Sequence, residues 1–204
     1  MPFKKLHSNI QDTLESQEIT TPTPFQSKSI PVIKSGANVY CTAPKDSGKT
    51  TTLILTTLQK LKCEEFEDAP RALVLVENKE RAIELYVEFL EYTKRNSLRV
   101  YVGHDRLHVD LQKSEIYQGI DILISTPKSM NKLFLMNGVS TSQLKIFSID
   151  DAEFLVQKSA YNALMSITQS IKKCQYVLYS EKMPPILKRF ESHFMEYSKT
   201  VTSD

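Results

Sequence analysis

The sequence predicts an α/β domain, three layers deep in the order αβα, around a central and mostly parallel sheet. Three observations carry that prediction. Short apolar runs at 38–42, 72–76, 98–102, 120–125, 146–149 and 176–179 have the length and composition of buried strands. They alternate with longer stretches of helical periodicity at 50–61, 79–92, 107–117, 128–136, 161–171 and 185–194. Internal repeats and low-complexity linkers are absent, so the alternation belongs to one unit of βα repeats spanning 1–204.

The first strand is preceded by a segment, 1–36, with a different pattern. Phe3, Leu6, Ile10 and Leu14 recur at helical spacing and stop before the turn-rich Thr20-Thr21-Pro22-Thr23-Pro24. A second helix follows Phe25-Gln26, carries Ile30 and Ile33, and ends at Ser35-Gly36. At the other end, 200–202 is expected to add an edge strand before a polar tail that frays.

Composition narrows the classes of function. With 204 residues, 41% of them hydrophobic and 25% charged, the chain suits one globular domain. No stretch approaches the roughly 18 apolar residues of a membrane span, and Met-Pro-Phe-Lys-Lys lacks the apolar core of a signal peptide. The expectation is a soluble, cytoplasmic protein with no membrane partner. Cys41, Cys63 and Cys174 are odd in number and unpaired in spacing, which supports neither a disulfide framework nor a zinc site. A net charge of +2 leaves any contact with nucleic acid to a local patch.

The strongest chemical signal follows the first strand. Ala43-Pro44-Lys45-Asp46-Ser47-Gly48-Lys49-Thr50 matches a relaxed phosphate-binding loop, with alanine replacing the first glycine, in the order strand, loop, helix. Backbone N–H groups at a helix N-terminus surround phosphate oxygens, Lys49 adds positive charge, and the Thr50 hydroxyl suits Mg²⁺. The alternative is an ordinary strand-to-helix turn. Asp46 weighs toward it, because a carboxylate repels a polyphosphate by about 1 kcal/mol at 4 Å in bulk water. Lys45 offsets that charge, and aspartate tolerates left-handed backbone.

Upstream, Pro22-Thr23-Pro24-Phe25-Gln26 resembles the adenine-reading Q motif of DEAD-box RNA helicases, at the right distance from the loop. The resemblance runs over roughly residues 3–201 and implies the RecA-like phosphate-loop fold of that family's first lobe, binding ATP and Mg²⁺ and contacting RNA. It assigns adenine recognition to Gln26, whose amide offers a donor and an acceptor together. Phe3 stands near the place of an assisting aromatic. The competing readings are a solvated glutamine at a helix start and a phenylalanine that caps the first helix onto the core.

The strand at 145–149 runs into Asp150-Asp151-Ala152-Glu153, where the family has Asp-Glu-Ala-Asp. The resemblance gives Asp150 the Mg²⁺, largely through water, and Asp151 the attacking water. Asp151 is one methylene short of glutamate, a misplacement of the size that costs about a hundredfold in rate. Acidic residues favoured at a helix N-terminus would also explain the pair without chemistry.

Other family motifs are altered. Pro-Thr-Arg-Glu-Leu-Ala corresponds to Glu77-Asn78-Lys79-Glu80-Arg81-Ala82, Gly-Gly to Gly103-His104, and Thr-Pro-Gly-Arg to Thr126-Pro127-Lys128-Ser129. By resemblance Asn78, Lys79, Gly103, Thr126 and Lys128 contact the RNA backbone. A lysine does not reproduce an arginine's planar phosphate grip, and these lysines also suit a solvated surface. Ser-Ala-Thr becomes Ser180-Glu181-Lys182, which keeps only the serine. No second lobe is present, so the resemblance implies that unwinding requires another lobe or a protein partner in trans.

Two functions stay open at this level. One is an ATP-binding, RNA-contacting lobe with weak or partner-dependent ATPase, in which Lys49, Asp150 and Asp151 are catalytic. The other is an inactive lobe kept as an RNA- or protein-binding module. A phosphate-loop kinase is disfavoured, because an arginine-rich lid is absent from the sequence.

Overall fold

The computed structural model describes residues 3–203. Met1, the start of the expected N-terminal segment, and Asp204, the end of the expected fray, lie outside the described residues. Seven strands form one sheet in the order β3-β4-β2-β5-β6-β1-β7, with every pairing parallel. They are β1 (Val39–Thr42), β2 (Ala72–Leu75), β3 (Val100–Gly103), β4 (Ile122–Ser125), β5 (Ile146–Ile149), β6 (Gln175–Ser180) and β7 (Lys199–Thr202). The expected mostly parallel sheet is thus wholly parallel, and β7 is the edge strand expected at 200–202.

A parallel sheet needs a crossover between strands, and helices supply it on both faces. Alternate residues of β2 show the division: Ala72 and Val74 belong to one core cluster, Leu73 and Leu75 to the other. The first cluster is closed by α1 (Ser8–Ser16), α2 (Pro24–Lys34), α3 (Lys49–Leu61) and α4 (Lys79–Thr93), through Ile10, Phe25, Leu53 and Phe89. The second is closed by α5 (Val109–Tyr117), α6 (Pro127–Leu135), α7 (Lys158–Gln169) and α8 (Pro185–Lys188), through Ile116, Met130, Leu164 and Leu187. Cys41 and Cys63 are buried free thiols, and burial pushes both up in pKa, Cys63 to about 11. No helix among the described residues is long and apolar enough to cross a membrane.

Element ends depart from the sequence expectation where local hydrogen bonds intervene. The first expected helix breaks into a 3-10 turn, Phe3–Lys5, and then α1, whose N-cap His7 accepts from the Asn9 N–H at 3.4 Å. The last expected helix, 185–194, is one short α-helix followed by a 3-10 turn, Arg189–Ser192.

At the amino ends of β2 and β4 a buried ion cluster ties the sheet. Asp121 has no exposed surface and accepts from Arg71 Nε at 3.1 Å, Arg99 Nε at 2.9 Å and the Arg99 N–H at 3.0 Å. Burial pushes the Asp121 carboxyl up, but the hydrogen bonds from Arg99 and Arg71 outweigh it, and its pKa is lowered overall. Arg71 is only 2% exposed. Removing its counter-charge leaves an unpaired buried cation, so Asp121→Asn is expected to lose about 3–5 kcal/mol in urea denaturation at neutral pH. Because the folded-state pKa is depressed, that contribution is full above the ordinary carboxylate range near about pH 4 and is lost on acidification through the folded value. The gap between wild type and Asp121→Asn is expected to narrow at low pH.

Candidate functional site

Because all strands run one way, the loops after β1, β2, β5 and β6 leave the sheet on the same edge, with β2, β5, β6 and β1 as consecutive neighbours. There they surround an open pocket of about 620 Å³ lined by Lys45, Asp46, Gly48, Lys49, Thr50, Thr51, Arg81, Glu84, Glu88, Asp151 and Glu181.

The loop after β1 is shaped by two left-handed residues, Asp46 at φ 60° and Gly48 at φ 92°. Gly48 is the N-cap of α3 and brings no capping side chain, which leaves the first amides of the helix to a ligand. A Cβ at Gly48 would stand 2.6 Å from Gln26 Nε2, so only glycine fits. Ala43 N–H donates to Ser180 O at 3.1 Å, which extends the β1–β6 pairing into the loop. Lys49 Nζ donates to Ala43 O at 2.8 Å and Pro44 O at 2.9 Å, so the ammonium is held by its own loop. Ser47 Oγ is buried without a hydrogen-bond partner among the described residues.

The start of α2 braces this loop from below. Thr23 and Gln26 form a capping box, Thr23 N–H to Gln26 Oε1 at 2.9 Å and Gln26 N–H to Thr23 Oγ1 at 3.1 Å. Thr23 Oγ1 also donates to Ser47 O at 2.7 Å. Gln26 is 4% exposed, so it is not a solvated glutamine; it lies under Gly48 with its carbonyl oxygen already engaged. Phe3 does not line the pocket. It is packed into the first core cluster with Leu6 and Ile10, as the alternative of a cap on the core describes, and Gln26 does not line this pocket either.

Thr50 and Asp150 are brought together, but through a residue that sequence reasoning missed. Arg81 reaches from the first turn of α4, where Asn78 Oδ1 caps the helix by accepting the Arg81 N–H at 2.9 Å. Its guanidinium donates from Nε to Asp150 Oδ2 at 2.8 Å and from Nη2 to Thr50 Oγ1 at 3.1 Å, while Nη1 meets Glu88 Oε1 at 3.1 Å. Asp150 is 2% exposed and its Oδ1 has no partner among the described residues. Burial pushes the Asp150 carboxyl up to about 6, against the lowering effect of Arg81, and the neighbouring Asp151 charge adds to the rise. Arg81 stands where the family motif quoted above has leucine. The signal that could have found it is a charged residue replacing an apolar one three positions after a helix cap.

The expected magnesium position lies between Thr50 and Asp150, and the guanidinium fills it. A dication 4 Å from a guanidinium meets a repulsion of about 2 kcal/mol in bulk water and about 8 at an effective permittivity of 20. As arranged, these residues do not fit Mg²⁺.

Asp151, at φ 43°, is exposed in the pocket wall beside Glu181 and starts a 3-10 turn, Ala152–Val156, rather than the helix N-terminus that the non-chemical alternative supposed. Glu153, a second residue missed in the sequence, accepts from the Lys182 N–H at 3.0 Å and the Glu181 N–H at 2.5 Å. The loops after β5 and β6 are therefore joined through main-chain amides, a link that does not depend on which side chains stand at 181 and 182.

Four of the five residues assigned to RNA, namely Asn78, Lys79, Thr126 and Lys128, line a second pocket of about 550 Å³, with Arg106 added. Gly103 does not line it; a Cβ there would meet Gln112 Oε1 at 2.9 Å, so its constraint is packing. Asn78 and Thr126 serve as helix caps, and Lys128 Nζ faces Asp105 at 3.5 Å. Three basic side chains, Lys79, Arg106 and Lys128, oppose three acidic ones, Glu77, Glu80 and Asp105. The formal charge cancels, which weakens attraction for a phosphate backbone.

The sheet order and the loop geometry define a RecA-like phosphate-loop domain. The sequence model of the DEAD/DEAH box helicase family matches residues 23–188, and the chain belongs to that family. Among curated relatives it is 29% identical over 185 residues to the Pre-mRNA-processing ATP-dependent RNA helicase prp-5 of Neurospora crassa, covering 87% of this chain and 16% of that one. It is 27% identical over 202 residues to the ATP-dependent RNA helicase ddx54 of Dictyostelium discoideum, covering 98% and 18%. The chain thus spans less than a fifth of the length of these relatives. Among solved structures, a DEAD box protein from the hyperthermophile Methanococcus jannaschii shares the fold with a TM-score of 0.89 at 17% identity, over 98% of this chain and 55% of that one. The yeast dbp5 variant bound to nup159, a gle1 variant, IP6 and ADP gives 0.84 at 17% identity, over 97% and 52%.

Two expectations follow from this geometry. Gly48→Ala is expected to cost about 1–3 kcal/mol in urea denaturation, because it combines left-handed backbone with a collision against Gln26. Glu153→Ala removes the acceptor of two amides, so hydrogen exchange at Glu181 and Lys182 is expected to quicken roughly tenfold or more, with core amides unchanged.

Proposed function

We propose that this chain is a nucleotide-binding helicase-type lobe that holds the phosphates of ATP at the loop 43–50 and turns ATP over slowly or not at all. The observation that carries this reading is the start of α3, where left-handed Gly48 leaves the first amides uncapped beside Lys49 and the partnerless Ser47 hydroxyl. A phosphate entering there gains main-chain donors and displaces the Lys49 ammonium from loop carbonyls onto its own oxygens. Slow turnover is supported by Asp151, too short by one methylene and exposed in the wall, and by Arg81 across the carboxylate that the family assigns to the metal.

RNA contact at the second pocket is the weaker half of the reading, since it rests on family membership and on a lining whose charges cancel. Unwinding by a complete helicase, with a second lobe or a protein partner in trans, is a proposal that follows from the family; a cytoplasmic place of action is a proposal from composition alone. The alternative of an inactive binding module is favoured by one observation: five acidic side chains against three basic ones in the wall of the first pocket.

Calorimetric titration of ATP with magnesium present, with and without single-stranded RNA, separates the two. Binding at millimolar concentration or tighter is expected and is expected to vanish in Lys49→Ala. Turnover on the same sample is expected at least about a hundredfold below an ordinary enzyme rate of about 10 per second. Absence of binding at millimolar ATP contradicts the nucleotide reading and leaves the module.

A further inference from the structure

We infer that Arg81 replaces the divalent cation of this site, so that the ligand is a nucleoside polyphosphate free of metal; this rests on the nucleotide reading above. The guanidinium touches the same two groups that an ion would need, Thr50 Oγ1 at 3.1 Å and Asp150 Oδ2 at 2.8 Å. It is also anchored by two carboxylates of the same pocket wall, Glu88 Oε1 at 3.1 Å and Glu84 Oε2 at 3.6 Å, and by a backbone fixed through the Asn78 cap. A long side chain held at both ends in this way is a built part of the site; its side chain is 23% exposed and it lines the pocket.

The chemistry of the substitution is consistent. A guanidinium carries fixed charge at any working pH and presents planar N–H donors that match phosphate oxygens, which is the task an ion performs by ligation. A magnesium ion arriving with the nucleotide must expel that charge from Asp150, so what it gains from the phosphates it gives up at the carboxylate. Glu84 and Glu88 are 67% and 43% exposed at their side chains, so solvent screens their repulsion for the incoming phosphates, while their contacts with Arg81 neutralise them in part. Removing Arg81 reverses the balance: the wall becomes more acidic, Thr50 and Asp150 are freed, and an ion becomes necessary.

The test is calorimetric titration of ATP into the full chain in magnesium and in EDTA, for wild type and Arg81→Leu. Wild-type affinity is expected to differ by less than about fivefold between the two buffers, and Arg81→Leu to bind at least about tenfold more tightly in magnesium than in EDTA. Titration of MnCl₂ alone is expected to show a site in Arg81→Leu that wild type lacks. Wild-type binding that is about fivefold or more tighter with magnesium overturns the inference and leaves the nucleotide reading intact. No binding in either buffer overturns both. If Arg81→Leu does not fold, the wild-type comparison decides alone.

Discussion

In a wholly parallel sheet each strand must return to the same end before the next can pair, and every loop that follows a strand therefore opens on one edge. In this protein that constraint sets β5 between β2 and β6, with β1 next, so four loops from distant parts of the sequence meet within one pocket. The Arg81–Asp150 contact forms at that meeting point. It joins the first turn of α4 to the end of β5 and reaches the start of α3 through Thr50. Strand order thus does the positioning, and side-chain chemistry decides what the pocket holds.

Much of the fold was legible because burial on both faces makes parallel strands plain apolar runs, and because caps and turns punctuate the helices between them. The phosphate loop was legible for a similar reason: its glycine, lysine and threonine sit at fixed offsets along one stretch of chain. Gln26 stands upstream of it at a readable spacing, and the structure gives it a bracing task in a capping box. What escaped depended on contacts between elements. Phe3 has the same local pattern whether it faces a ligand or the core, and its packing with Leu6 and Ile10 appears only once the first helices are placed. Arg81 lies in a helix whose pattern reads as surface, and its partners Thr50 and Asp150 are dozens of residues away in sequence. Glu153 escaped because its partners are main-chain amides, which no residue type announces.

The departures from the family motifs have a common direction. The loop 43–50 keeps its glycine, lysine and threonine and is braced by α2. Asp151 stands where the family has the longer glutamate, and Asp150 is covered by the Arg81 guanidinium. The link between the loops after β5 and β6 survives through Glu153 while the side chains around it have changed.

If the Arg81 guanidinium takes the metal's place, it stays there while nucleotide is bound, and a crystal structure grown with ADP and magnesium decides the matter. Nucleotide phosphate oxygens are expected against the amides that begin α3, with Arg81 still in hydrogen-bond reach of Thr50 and Asp150 and no ion between them. An ion ligated by Thr50 with the Arg81 side chain swung into solvent, or a loop that takes up no phosphate, would contradict it.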